Sequence, residues 1–232
     1  MPRIYAISDL HLSFAAEKPM DVFGSRWENY EARLCDNWQA QIHQDDIVLM
    51  PGDTSWATYL KDGTKDFDFI NQLNGTKIIS KGNHDYWWET LSKLNGFLDT
   101  NHFSSIRFLH NTVEVFGNVA ICGTKGYPET ENEPEDEEGK KLYKRELARL
   151  ENGICMAKKT GAEKIVVMLH YPPGTRSEFA KCMRKHQVNA CVFGHLHGGN
   201  FDRVAQGDVG GVEYRLVSCD YLKFSPLYLC DF

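Results

Sequence analysis

A chain of 232 residues with 42% hydrophobic content is long enough to bury a core, which excludes a disordered polypeptide and fits one domain spanning residues 1–232. Its formal net charge of −6 argues against a general nucleic-acid binder, which would carry an excess of Lys and Arg. The longest aliphatic run, "IVVML" from Ile165, is too short to span a bilayer, and "MPRIYAISDLH" has no apolar stretch of signal-peptide length.

Short apolar runs rich in Val and Ile, bounded by Gly, Asp, Asn or Pro, mark the strands in chain order. They are "RIYAIS" (3–8), "DIVLM" (46–50), "TKIIS" (76–80), "TVEVF" (112–116), "NVAIC" (118–122), "KIVVML" (164–169), "NACVF" (189–193), "VEYRLVS" (212–218) and "PLYLC" (226–230). The nearly continuous ones are expected in central positions, covered on both faces. Helical spacing predicts a helix over 27–42, with Trp27, Tyr30, Leu34, Trp38 and Ile42 on one stripe. Further helices are predicted over 66–73, 87–98 and 140–159, and after Thr175, which stands three residues before Glu178 as in a capping box. The acidic run "ETENEPEDEE" (129–138) reads as a solvated loop before the long helix. Early β-α alternation implies parallel pairing, and the later strands imply mixed pairing, so the fold class is α/β. Seven scattered cysteines with no CxxC spacing read as reduced, mostly buried thiols, which points to a cytoplasmic protein.

Five of the central strands end in residues that bind metals or move protons. These ends are Asp9-Leu10-His11, Pro51-Gly52-Asp53, Gly82-Asn83-His84-Asp85, His170 and Gly194-His195-Leu196-His197. In open α/β sheets, ligands bind outside the C-terminal ends of the strands. In extended chain the two-residue spacing of Asp9 and His11, and of His195 and His197, would put both members of each pair on one face. Carboxylate, imidazole and amide oxygens together suit manganese, iron, zinc or nickel rather than a thiolate-seeking ion.

This series of motifs resembles the calcineurin-like metallophosphoesterase superfamily over residues 3–197, and within it a group of compact, uncapped bacterial phosphohydrolases. The resemblance implies two stacked mixed β-sheets flanked by helices, an α-β-β-α sandwich, with two divalent metal ions at the strand ends, manganese first. It implies one metal held by Asp9, His11, Asp53 and His197. The other would be held by Asp53, Asn83, His170 and His195, with Asp53 shared. His84 would face the substrate as a catalytic group rather than bind metal. The reaction implied is attack on a small-molecule phosphate ester by a metal-bridging hydroxide.

The protein-phosphatase pattern GDxxDRG is replaced here by "GDTSWAT", with Trp56 in place of the second acid and no Arg. That argues against a Ser/Thr protein phosphatase and slightly favours a phosphodiester over a monoester. It also leaves Asp85 as the candidate to orient His84. Arg26, Lys125 and Arg176 are the candidate substrate-binding cations, and Tyr86, Trp87 and Trp88 could stack on a base or aryl group. A nuclease is disfavoured by the negative charge and the lack of a basic run. A non-catalytic scaffold of the same fold is disfavoured because every expected motif residue is present.

Overall fold

The computed structural model describes residues 1–16, 18–128, 131–199 and 201–232. One sheet is built from β1 (Arg3–Ala6), β2 (Ile47–Met50), β3 (Thr76–Ile79), β4 (Ile106–Phe108) and β11 (Leu227–Asp231). Its order is β11-β1-β2-β3-β4, with β11 antiparallel to β1 and the rest parallel. The second sheet contains β5 (Glu114–Phe116), β6 (Val119–Thr124), β7 (Lys164–Leu169), β8 (Ala190–Phe193), β9 (Gly207–Asp208) and β10 (Glu213–Leu216). Its order is β5-β6-β7-β8-β10-β9, parallel from β6 through β10 and antiparallel at both edges.

Strand periodicity divides the side chains among three cores. Ile4, Ala6, Ile47, Leu49 and Ile78 of the first sheet pack with Ile121, Val166, Met168 and Val192 of the second, so the sheets stack face to face. The alternate residues, Tyr5, Val48, Met50 and Ile79, face the other way. They pack under α1 (Tyr30–Gln41), α2 (Thr64–Gln72) and α3 (Leu91–Asn101). Across the molecule, Val167, Leu169 and Cys191 pack under α4 (Glu137–Lys159) and α5 (Glu178–Lys185). The result is the helix-sheet-sheet-helix sandwich expected from the motifs. All seven cysteines are free. Among the described residues, no helix is long and apolar enough to cross a membrane.

Several local expectations are corrected. The helix predicted over 27–42 starts at Tyr30, because residues 25–27 form a separate 3₁₀ turn and Asn29 is left-handed. The helix predicted from Trp87 starts at Leu91: Trp87 and Trp88 lie in a turn, and Trp87 is buried against Phe67 and Phe108. The cap of α5 is Ser177, whose Oγ accepts from Ala180 N–H, rather than Thr175. Thr175 N–H instead donates to Glu131. The acidic run is therefore less free than a solvated loop: Glu131 also accepts from Arg176 N–H, and Asp136 caps α4. Glu129 and Thr130 of that run lie outside the described residues.

The two sheets are stitched together at their C-terminal ends. Ser8 N–H donates to the Val217 carbonyl at 2.8 Å, and Cys219 N–H donates to the Ser8 carbonyl at 2.9 Å. This isolated parallel bridge lies directly beside Asp9 and sets the distance between loops that follow different sheets.

Candidate metal centre

The loops after β1, β2, β3, β7 and β8 converge at that seam. Asp9, His11 and His197 present donor atoms within 4.8 Å of one another, and Asp53, His170 and His195 do the same. Asp53 joins the groups: its Oδ2 is 3.8 Å from His11 Nε2 and 3.4 Å from His170 Nε2. Asn83 Oδ1 lies 2.6 Å from His170 Nε2 and 2.9 Å from His195 Nδ1. His11 Nε2 and His197 Nε2 are 3.3 Å apart.

The backbone reaches this arrangement by leaving extended conformation. Asp9, His11, Asp53 and His195 have φ of 59°, 47°, 51° and 74°. The expectation that Asp9 and His11 share a face through strand geometry is therefore wrong: a tight left-handed turn aims both side chains inward. Such conformations are costly for residues other than Gly, and they gather at functional sites. Gly82 and Gly194 supply the close approach. A Cβ on Gly82 would collide with the Asp53 carboxylate and N–H, and one on Gly194 with the Asp9 carboxylate.

The donor set fits cations. His170 Nδ1 is 3.0 Å from the Pro51 carbonyl, an acceptor only, so the proton sits there and Nε2 presents a lone pair toward Asn83 Oδ1. Two acceptors facing each other at 2.6 Å repel unless a positive charge lies between them. His197 Nδ1 is 2.9 Å from Asp220 Oδ1, which fixes its ring so that Nε2 points at His11 and Asp9. The Nδ1 of His11 is buried without a hydrogen-bond partner.

The electrostatics carry the same signature. Burial, then the neighbouring Asp9, pushes Asp53 up to about 8. Burial would raise Asp9 too, but hydrogen bonding and attraction to His197 hold it well below the usual carboxylate range. Burial lowers His197, yet Asp220 and Asp9 override it and push the ring up to about 10. Burial and the neighbouring His170 lower His195 to about 4. His197 is thus the one cationic ring beside two buried carboxylates, while burial lowers His11, His170 and His195, and divalent ions would supply the missing positive charge.

His84 lies beside the cluster, its ring tilted against Trp56 at 4.7 Å and His11 at 5.7 Å. The His84 backbone N–H donates to Asp53 Oδ1 at 2.8 Å. The Asp85 carboxylate does not orient this ring. It is fully buried and accepts from the N–H groups of Gly82, Asp53 and Thr54 at 2.7, 2.9 and 2.8 Å, so it holds the loops after β2 and β3 together. The contact of His84 Nδ1 is instead the Tyr86 hydroxyl at 3.5 Å. Of the three aromatics in that run, Tyr86 is exposed, Trp88 half-buried and Trp87 buried.

The candidate cations fall in three places. Arg26 is at the mouth, its Nη1 3.5 Å from Asp220 Oδ2. Lys125 lies over the Tyr171 ring at 5.9 Å, one ring away from His170 and His195. Arg176 has an exposed side chain and is tied to Glu131 through its backbone. Asp220 and Trp56 escaped the sequence reading as site residues. Trp56 stacks on His11 at 4.8 Å and 24°. Asp220 follows β10, and asking what ends that strand, as for the other five, would have found it.

A family model, calcineurin-like phosphoesterase, matches residues 2–199. Among solved structures, phosphopantetheinyl hydrolase from Mycobacterium tuberculosis is 14% identical with a TM-score of 0.56, covering 98% of this chain and 95% of its own. A protein of unknown function from Aquifex aeolicus is 15% identical with a TM-score of 0.53, covering 98% and 96%. A protein from Thermus thermophilus is 14% identical with a TM-score of 0.53, covering 99% of both chains. No curated protein gave a significant match. At these identities the structures speak for the fold, and the family model carries the assignment. The chain belongs to the calcineurin-like phosphoesterase family.

Proposed function

We propose that this protein hydrolyses a small-molecule phosphate ester, a diester ahead of a monoester, at a centre of two divalent metal ions with manganese preferred. The observation that carries the reading is the position of Asp53, whose carboxylate lies between the two donor groups. Asp9, His11, Asp53 and His197 would hold one ion, and Asp53, Asn83, His170 and His195 the other. When bound, such a pair polarises phosphoryl oxygens and makes a coordinated water acidic enough to attack at neutral pH.

The residues around the ions do the rest. Asp220 and the Pro51 carbonyl fix two imidazoles in the tautomers that coordinate. Asp85 keeps the Asp53 and Gly82 loops in register. The His84 ring, beside His11 and Trp56 at the edge of the cluster, is placed to give a proton to a leaving oxygen. Arg26 at the mouth is placed to meet a phosphate oxygen.

Room for the organic part of the ester supports a substrate larger than inorganic phosphate. A cavity of about 620 Å³ opens beside His195 and is lined by Pro173, Phe193, Leu196 and Val204. That size is within the usual range of small-ligand sites. The buried Tyr214 hydroxyl, which has no hydrogen-bond partner, lines the same cavity. The test is a parallel screen of manganese-reconstituted protein against aryl monoesters, linear diesters and cyclic nucleotides. Turnover highest on diesters is expected. No turnover on any phosphate ester by fully metallated protein would end the reading.

A further inference from the structure

A second crevice lies at the C-terminal ends of β3, β4 and β6, on the same side of the sheets as the metal centre. Its volume is about 220 Å³, and no proposed metal ligand lines it. Lys81 and Lys125 enter it from the two sheets, and Arg145 and Arg149 enter it from α4. The single carboxylate there, Glu146, is fully engaged. It accepts from Arg149 at 2.6 Å, from Arg145 at 3.3 Å and from the Thr124 hydroxyl. Neither Lys81 nor Lys125 has an ion-pair partner among the described residues. A protein of net charge −6 has thus gathered four cations against one acid.

Two residues that line the same crevice carry orphaned donors. Ser80 is 2% exposed, and its hydroxyl has no hydrogen-bond partner. The indole Nε1 of Trp88 is buried and equally without a partner. Buried donors in folded proteins are nearly always satisfied, so two in one crevice call for an acceptor that is not part of the chain. An oxyanion has the chemistry these groups call for: it would neutralise the lysines and, after a small rotation of the buried side chains, accept from the hydroxyl and the indole.

We propose that this crevice is an oxyanion site, separate from the metal centre, for a phosphate or carboxylate group. The group is either a second acidic group of the substrate or a free oxyanion. Continuity with the metal centre favours the first source: Lys125 lies over Tyr171, whose ring is 4.6 Å from that of His195. The oxyanion site stands without the hydrolase reading, and only the choice between the two sources rests on it.

The test uses the full chain, stripped of metal and dialysed free of chelator, with inorganic phosphate as the probe. Calorimetry should give saturable binding, and the Trp88 indole N–H resonance, identified by its loss in Trp88→Phe, should shift with the same midpoint. Lys81→Met should weaken binding about ten- to hundredfold, the loss expected for one charge-assisted contact. Lys125→Met is the second variant should Lys81→Met misfold. An unmoved Trp88 resonance, or equal affinity in both folded variants, would overturn the site. With metal restored, the ratio of kcat/KM for a nucleoside 3′,5′-bisphosphate to that for an aryl monophosphate separates the sources. A ratio that falls in Lys81→Met marks a substrate group, and an unchanged ratio in a Lys81→Met protein whose phosphate affinity has fallen marks a free oxyanion.

Discussion

Asp220→Asn is the substitution that most sharply separates the two metal positions. The Asp220 carboxylate accepts from His197 Nδ1 at 2.9 Å, Gly198 N–H at 3.1 Å and Tyr221 N–H at 3.0 Å, and it faces Arg26 at 3.5 Å. Every one of those partners is a donor. An amide has one oxygen to offer, so its NH₂ must confront either His197 and Tyr221 or Gly198 and Arg26. If the oxygen stays with His197, the ring loses a charged partner; if not, the tautomer inverts and Nε2 carries the proton. Replacing such an outer partner of a metal-binding His costs about 10–100-fold in affinity, or about 1.4–2.8 kcal/mol at 1.4 kcal/mol per tenfold. Asp53, His170 and His195 are not among the partners of Asp220, so their ion should be unaffected. Manganese titration of the stripped protein by calorimetry should therefore keep one binding phase and weaken the other. Two unchanged phases, or equal loss in both, would refute this role for Asp220.

His84→Ala should keep both manganese ions by elemental analysis while kcat falls about 10²–10⁴-fold, the usual value of an acid catalyst; undiminished turnover would remove His84 from the mechanism. Gly82→Ala should destabilise the fold by about 1–3 kcal/mol through overpacking and, if Asp53 serves both ions as proposed, weaken both manganese phases, because the new Cβ collides with Asp53. Wild-type affinity at either phase would show that the loop yields. Lys77 in β3 is fully buried, and burial lowers its pKa from the ordinary 10.5 to about 7. Between those values the unfolded chain holds a proton that the folded protein lacks, so this group's contribution to stability rises with pH across that window. The urea-midpoint difference, wild type minus Lys77→Met, should climb from about pH 7 to about pH 10, and a flat difference would contradict it.

Much of the site was legible because five strands announce their ends with Asp, His or Asn, three of them next to Gly, and strands rich in Val and Ile are easy to see. What escaped follows from geometry that periodicity does not carry. β4 is three residues long and interrupted by the exposed Arg107, so its alternation is too brief to read. Trp87 and Trp88 continue the apolar spacing of α3, yet they lie outside it, because the Asp85 carboxylate pins the preceding loop and Trp87 fills a hole beside Phe67. Asp85 itself looks like a catalytic acid in sequence, and its burial under three N–H groups is visible only in three dimensions. The left-handed turns at Asp9 and His11 replace the extended geometry inferred from their spacing. Asp220 follows a strand that pairs in parallel with β8, and it was overlooked because the family motifs end before it.

The sharing of Asp53 between two cations is the claim on which the remaining chemistry depends. Anomalous diffraction at the manganese edge, from crystals grown with excess manganese, reads it directly. Two peaks about 3.5–4 Å apart are expected, with Asp53 ligating both, Asn83 and His170 on one and His11 and His197 on the other. A single peak, or two peaks with Asp53 bound to only one, would contradict the account.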